Sequence, residues 1–216
     1  MLTLYHCFSA RSFRPLWALE EMGLPYELKM LPFPPRALQK EYLGINPLGT
    51  IPFLVDRDTT MTESAAICEY LATKYGPTDL AVRVDEPGYG AYLNALHFGE
   101  ATLTFPQTLV LRYTRLEPQE RRVPQVADDY AKWFLGRLRA VEARMAKTDY
   151  MAADRFTMGD ISVAYALLLA KNLGLDGQFT PGVQAYWERV SARDGYKRAF
   201  ESQTRAAKAA GLRAAI

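Results

Sequence analysis

The sequence contains few of the residues that build metal sites and disulfide frameworks. Among 216 residues there are two cysteines, Cys7 and Cys68, and two histidines, His6 and His97. These four residues match none of the standard zinc-ligand spacings, so we expect no bound metal and two reduced thiols. Neither histidine has a carboxylate or a cysteine at motif spacing, and we interpret both as packing or surface residues.

Long apolar runs and an excess of charge of one sign are also missing. No stretch approaches the roughly 20 apolar residues that a membrane-spanning helix needs, and the first residues lack a basic segment before an apolar one. The 26 Lys and Arg nearly balance the 24 Asp and Glu, and they are scattered along the chain. We therefore expect no nucleic-acid partner, no membrane partner and a cytoplasmic location.

The sequence pattern changes once along the chain. The first part reads as the strand "LTLYH", a helix near 12–23, the strand "YELKML", a helix around "RALQKEYL", the hairpin "IPFLVDRDTTMTE" and a helix from Ser64 to Tyr75. From about residue 86 onward, apolar residues recur at helical spacing without a convincing strand. The intervening "GPTDLAVRVDEPG" has the glycine and proline punctuation of a boundary. We predict an α/β domain over 1–77, a linker over 78–86 and an all-α helical bundle domain over 87–216.

The stretch "GINPLGTIPFL" places Pro52 at the start of an apolar strand. Proline has no backbone N–H to donate to a neighbouring strand. It is tolerated at the first residue of a strand, because a strand needs that hydrogen bond only in the interior of a sheet. If the Ile51–Pro52 bond is cis, the backbone N–H and C=O of Ile51 turn outward and can pair with an extended peptide. An ordinary trans proline at a strand start is the alternative, since only about 5–6% of X–Pro bonds in folded proteins are cis.

The stretch "MTESAAICEYLATKY" places Glu63 and Ser64 at a junction between strand and helix. The N–H groups at a helix N-terminus and the Ser64 hydroxyl form a pocket for a carboxylate, while Glu63 can face an ammonium group. An α-amino acid head group carries both charges. The alternative is that Ser64 only caps the helix, which stabilises a helix by about 1 kcal/mol.

Together these motifs resemble those of the cytosolic glutathione transferase family over essentially the whole chain. The shared pattern is a strand with an "SxxS" helix start, then "NPxGxIPxL", "ESxAIxEYL" and an all-helical remainder. The resemblance implies a thioredoxin-like first domain that binds glutathione as co-substrate. It assigns the cysteinyl backbone of glutathione to Ile51 before Pro52 and the γ-glutamyl group to Glu63 and Ser64. Thr50 departs from the pattern, because several classes of the family have a basic or amide side chain there.

The register of the resemblance gives a role to the two serines of "SARS". Counted back from "LWALEEMG", Ser9 and Ser12 fall where thioredoxin-like proteins have the two cysteines of CxxC. Ser9 also matches the catalytic hydroxyl of the serine-type transferases, whereas Ser12 matches the register of bacterial β-etherase-like members and is also placed to cap the helix. We predict that one of them, with Ser9 favoured, stabilises the glutathione thiolate. Arg11 either adds positive potential or is a solvated surface residue.

Two neighbours of the serines have other interpretations. Tyr5 resembles the tyrosine that some classes use as thiolate donor, although the alternation of "LTLYHC" also fits a core residue. Cys7 lies two residues before the CxxC register. We therefore interpret Cys7 as a buried bystander and not as the nucleophile of a thiol reductase.

The second domain is expected to supply the pocket for the electrophile, between the two domains. Its long aromatic segment "YLNALHFGEATLTFPQTLVLRYTRL" offers four residues for an apolar wall: Phe98, Phe105, Leu109 and Tyr113. The alternative is that they only pack the bundle. Further along, Thr157 and Asp160 have the spacing of a capping box, which indicates a structural role.

These features predict a glutathione S-transferase that conjugates glutathione to a hydrophobic electrophile, acts in detoxification and forms a homodimer. The alternatives are a glutathione-dependent β-etherase, peroxidase or thiol reductase, and a binding protein of the same fold without turnover. The glutathione and the small electrophile are the expected partners.

Overall fold

The computed structural model describes residues 1–213 of the chain. The last positions of the predicted helical domain, 214–216, lie outside the described residues. The chain divides into two compact units: Met1–Ala81 together with the segment that begins at Ala192, and Val82–Ser191. The predicted linker, 78–86, contains the first junction between the units.

The first unit is built on a four-stranded sheet. The strands are β1 (Leu2–His6), β2 (Tyr26–Met30), β3 (Phe53–Asp56) and β4 (Thr59–Met61), in the order β2-β1-β3-β4. β1 and β2 are parallel and are connected through helix α1 (Phe13–Met22), whereas β3 runs antiparallel to both β1 and β4. The predicted βαβ unit followed by a hairpin is confirmed, and the arrangement is thioredoxin-like.

This topology brings three loops to one edge of the sheet. In β1 and β3, Tyr5 pairs with Phe53, so the end of β1 lies beside the start of β3. In β3 and β4, Leu54 pairs with Met61, which places the end of β4 at the same edge. Because antiparallel neighbours alternate direction, the turn after β1, the segment before β3 and the start of helix α3 (Ser64–Lys74) all lie there.

The prediction of one continuous helix around "RALQKEYL" is wrong. The structure has a short helix α2 (Pro35–Leu38) and a separate 3-10 turn over Lys40–Gly44. Gln39 between them has φ −145° and ψ 76°, which is incompatible with a continuous helix. The segment after the turn passes close to α2 at Gly49, which has φ +60° and where a Cβ would lie 2.7 Å from the Cβ of Arg36.

The last helix of the chain, α9 (Asp194–Ala209), belongs to the first unit. It contacts α1 and β2. Its aromatic residues Tyr196 and Phe200 stack on each other and meet Phe13 of α1 edge-on. This differs from the expectation that the helical domain runs unbroken to the C-terminus, because helical periodicity does not show which unit a helix packs against.

The second unit is built from helices and their connections, and its residues 82–191 form no strand beyond an isolated bridge between Ala152 and Arg155. Its helices are α4 (Tyr89–His97), α5 (Phe105–Leu111), α6 (Pro124–Met145), α7 (Met158–Asn172) and α8 (Pro181–Ser191). π-helical turns over Phe98–Thr104 and Arg112–Leu116 make α4 and α5 into one long stretch. Gly99 in the first π-helical turn lies against the backbone of Ser162 on α7, where any Cβ would clash.

Within residues 1–213, none of the helices combines the length and the apolar character that crossing a bilayer requires.

Candidate functional site

The turn between β1 and α1 contains both candidate serines, and the two are held differently. Ser9 has φ 48°, a left-handed conformation that few residues other than glycine adopt. Ser12 has helical dihedral angles and precedes α1, but its side chain makes no capping hydrogen bond. Its Oγ instead accepts from the Cys7 N–H at 3.3 Å and donates to the Cys7 carbonyl at 3.4 Å. The expected capping role of Ser12 is therefore wrong, because its hydroxyl bonds the backbone of the turn.

Ser9 forms hydrogen bonds with the side chain of Gln203 on α9. Its N–H donates to Gln203 Oε1 at 2.8 Å, and Gln203 Nε2 donates to Ser9 Oγ at 3.2 Å. Gln203 Oε1 also lies 3.0 Å from His6 Nε2. All three residues are buried, with Ser9 2% exposed. Burial lowers the pKa of His6 to about 4, although hydrogen bonds to the Gln203 side chain and the Ser12 backbone oppose this effect. His6 is thus a neutral packing histidine, as expected, while His97 is exposed.

The Ile51–Pro52 bond is cis. The loop before it is fixed by two buried residues to which the sequence patterns gave no role, Tyr42 and Asn46. The Tyr42 hydroxyl donates to the Thr50 carbonyl at 2.8 Å, and the Asn46 amide donates to the same oxygen at 2.9 Å. The dipeptide Asn-Pro is a turn signal in the sequence that could have pointed to Asn46. No local sequence signal shows that the Tyr42 hydroxyl reaches the Thr50 carbonyl.

At the start of α3, Glu63 is exposed and Ser64 is buried. No side chain caps the helix. The guanidinium of Arg14, a fully buried residue of α1, donates from Nη1 to Ser64 Oγ at 3.1 Å. The sequence patterns gave no role to Arg14. A buried arginine beside a helix N-terminus increases the positive potential at this point.

Tyr5 and Cys7 belong to the core of the first unit. The Tyr5 ring packs beside Tyr42 and Phe53, with centroids 5.6 and 5.9 Å away. Cys7 is buried in the same cluster as Ile51, and its thiol donates to the Pro32 carbonyl at 3.5 Å. Burial raises the pKa of the Cys7 thiol far above its usual range, so this thiol stays protonated at neutral pH.

The second cysteine and the potential metal ligands form no further site in the part of the chain that the structure describes. Cys68 is a free, buried thiol like Cys7, and burial raises its pKa to about 12. Over residues 1–213, His, Cys, Asp and Glu side chains form no group of three or more that could hold a metal ion. Arg11 is half-buried in the turn between the two serines.

The four predicted wall residues lie on the continuous stretch from α4 to the end of the second π-helical turn. Phe98 lines a cavity of about 200 Å³ together with Asn94 and Arg144. Phe105 is 50% exposed, and its ring meets Tyr130 of α6 edge-on at 6.4 Å. Leu109 and Tyr113 are half-buried and follow Phe105 at four-residue intervals.

The chain resembles known proteins along most of its length. The model of the glutathione S-transferase N-terminal domain matches residues 8–74, and that of the C-terminal domain matches residues 112–194. Glutathione S-transferase 3 of Zea mays is 31% identical over 193 residues, which are 83% of this chain and 84% of the relative. Glutathione S-transferase hmp2 of Hypomyces subiculosus is 32% identical over 198 residues, or 86% and 92%.

A solved structure supports the same assignment. The glutathione transferase URE2P6 of Phanerochaete chrysosporium, determined in complex with oxidized glutathione, aligns with a TM-score of 0.82 and 26% identity over 95% of this chain and 97% of its own. The fold and the loops at the sheet edge define a thioredoxin-like domain joined to a helical unit. With the matches above, the chain belongs to the glutathione S-transferase family. It is accordingly a transferase, with glutathione as co-substrate.

Proposed function

We propose that this protein is a serine-dependent, bacterial-type member of the family that conjugates the glutathione thiolate to a hydrophobic electrophile. Ser9 in the turn after β1, the cis Ile51–Pro52 bond before β3 and Ser64 at the start of α3 lie at one edge of one sheet. This convergence is the observation that carries the proposal, because an extended tripeptide needs separate contacts for its head group, its backbone and its thiol.

Glutathione binds in the proposal with its γ-glutamyl group at the start of α3. The uncapped N–H groups of the first turn and the Ser64 hydroxyl receive the carboxylate, and exposed Glu63 faces the ammonium group. Arg14 donates to Ser64 Oγ, which leaves the Ser64 hydroxyl proton to the ligand carboxylate. The cysteinyl backbone pairs with the backbone of Ile51.

The thiol is activated in the proposal by Ser9, with positive potential from Arg11. A free thiol has a pKa of about 8.5, so only a few per cent is ionised at neutral pH. A hydroxyl that donates to sulfur favours the anion, and each unit by which the thiol pKa falls corresponds to about 1.4 kcal/mol. The Ser12 hydroxyl both donates to and accepts from the Cys7 backbone, and this supports Ser9 as the donor.

The other contributions are proposals of the same kind. Phe98, Phe105, Leu109 and Tyr113 supply an apolar wall for the electrophile. The protein acts in the cytoplasm, in detoxification, and forms a homodimer, since a closed twofold pair is the commonest arrangement of soluble oligomers. A thiol reductase that uses Cys7 is not supported, because that thiol is buried and protonated. Assays with aryl halide, peroxide, disulfide and β-aryl ether substrates separate conjugation from the remaining alternatives.

The role of Ser9 is tested by the ultraviolet absorbance of the bound thiolate as a function of pH. We expect Ser9→Ala to change glutathione affinity by a few-fold at most and to raise the pKa of the bound thiol by about one to two units. Turnover below that pKa then falls by roughly 10–100-fold, and the deficit shrinks at higher pH. Ser12→Ala is the matched control, with a loss of stability of about 1 kcal/mol and an unchanged titration. A titration that shifts only in Ser12→Ala would transfer the role to Ser12 and favour the β-etherase-like assignment.

A further inference from the structure

Gln203 joins the last helix of the chain to the turn that holds Ser9. It is fully buried on α9, and 194 positions separate it from Ser9. Its amide contacts both the backbone and the hydroxyl of Ser9, and also the ring of His6. The contact lies within the first unit, where α9 packs on α1.

The hydrogen bonds fix the orientation of the Gln203 amide. A backbone N–H can only donate, so the amide atom 2.8 Å from the Ser9 nitrogen must be the oxygen. The amide nitrogen then faces Ser9 Oγ and donates to it at 3.2 Å. The same oxygen lies 3.0 Å from His6 Nε2, which must therefore carry the ring proton.

This arrangement affects both the backbone and the hydroxyl of Ser9. The bond from the Ser9 N–H to Gln203 Oε1 holds the residue in its left-handed conformation, with φ 48°. The bond from Gln203 Nε2 occupies an acceptor site of Ser9 Oγ and does not use the hydroxyl proton. A hydroxyl that accepts a hydrogen bond becomes a better donor, because successive bonds polarise one another.

We infer that Gln203 is a positioning residue for the reaction, which orients Ser9 and strengthens the hydrogen bond that Ser9 donates to the glutathione thiolate. The inference rests on the role proposed above for Ser9. No bond to glutathione is assigned to Gln203 itself. The neighbouring titratable groups keep one charge state through the range in which the thiol titrates: His6 is neutral, Cys7 is protonated and Arg11 is charged.

The test compares the titration of bound glutathione in four variants: Gln203→Met, Gln203→Glu, Ser9→Ala and the double variant Ser9→Ala/Gln203→Met. Methionine keeps the length of the side chain and removes the donor. Glutamate retains an oxygen for the Ser9 N–H and for His6, replaces the donating nitrogen by an oxygen and adds a carboxyl group, whose negative charge also disfavours the thiolate. An unchanged titration in this variant therefore still contradicts the inference if the methionine variant does not fold. The control is Ser202→Ala on the same helix, which removes a hydrogen bond to Tyr26 Oη at 2.9 Å without touching Ser9.

We expect each single variant of Gln203 to raise the pKa of the bound thiol by about one unit, which lowers the thiolate fraction about tenfold below the pKa. Glutathione affinity stays within a few-fold, and Ser202→Ala leaves the titration unchanged. In the Ser9→Ala background, Gln203→Met should add nothing further, because its effect passes through Ser9.

Two outcomes overturn the inference without touching the proposed function. One is an unchanged titration in both variants of Gln203 when Ser9→Ala raises the pKa, and the other is a full additional shift in the double variant. An unchanged titration in Ser9→Ala itself contradicts the role of Ser9, and this inference falls with it.

Discussion

The helices α1 and α7 both begin after a residue with a hydroxyl group, but the two hydroxyls make different hydrogen bonds. Thr157 has extended dihedral angles, and its side chain accepts from the Gly159 N–H in a complete capping box with Asp160. Ser12 has helical dihedral angles, makes no capping bond and pairs with the Cys7 backbone instead. A hydroxyl before a helix therefore does not by itself identify a cap.

The surroundings explain the difference between the two helix starts. Asp160 is buried and accepts from the N–H groups of Met151 and Thr157 and from the Tyr186 hydroxyl, so the start of α7 is saturated by its own unit. The turn before α1 is held instead through Ser12 and through Gln203 of a distant helix. Capping stabilises α7, whereas the start of α1 carries the residues proposed for chemistry.

The largest expected effect concerns the start of α7, where Asp160 accepts hydrogen bonds from buried donors of its own unit. Asp160→Ala removes the acceptor of at least three hydrogen bonds and leaves buried donors without it, so we expect a loss of about 3–5 kcal/mol in the free energy of unfolding. Urea denaturation measures this loss. A loss under about 1 kcal/mol would show that the capping box does not distinguish α7 from α1.

The same residue gives the next prediction, on pH. Burial raises the pKa of Asp160 to about 6 in the folded protein, against opposing hydrogen bonds from Met151, Thr157 and Tyr186. Because the folded pKa lies above the unfolded value of about 3.9, the group contributes stability that is present below about pH 4 and is lost as the pH rises through about 6.

The comparison variant is Asp160→Asn, which does not titrate. The stability of the unsubstituted protein relative to this variant should fall by about 2 kcal/mol between pH 4 and pH 7, measured by urea denaturation at each pH. A difference that grows with pH would mean that the hydrogen bonds hold the carboxyl ionised, and that the start of α7 prefers the anion.

The two starts also differ in how far the sequence predicts them. The capping box could be predicted because Thr157 and Asp160 are three positions apart and complete each other locally. The strands and the hairpin likewise follow from short motifs, whereas the motif at Pro52 left both a cis and a trans bond open, and only the structure shows that the bond is cis. Gln203 could not be predicted, since its contact with Ser9 spans 194 positions and depends on where α9 packs.

Arg14 shows a second limit of the sequence. An arginine in the first turn of a helix is usually solvated, and only the packing of α1 against α3 explains why it is buried beside Ser64. The roles that the family resemblance gave to Ser9, Glu63 and Ser64 stay predictions. The structure adds the neighbours through which these residues can be tested.

The smallest expected effect extends the comparison to α3, a helix start without a side-chain cap. Ser64→Ala should weaken glutathione binding by about 1–2 kcal/mol, because a hydrogen bond to the γ-glutamyl carboxylate is lost. Ser64→Thr retains a hydroxyl and should bind within a few-fold of the unsubstituted protein. Calorimetric titration with glutathione measures both.

The matched control for Ser64→Ala lies at the capped start. Thr157→Ala removes a hydroxyl that accepts from Gly159, at a cost of about 1 kcal/mol in stability, and should leave glutathione affinity unchanged. The contrast between the two variants separates a helix start that binds a ligand from one that is closed by its own side chains. If Ser64→Ala binds glutathione as tightly as Thr157→Ala does, the γ-glutamyl group does not lie at the start of α3.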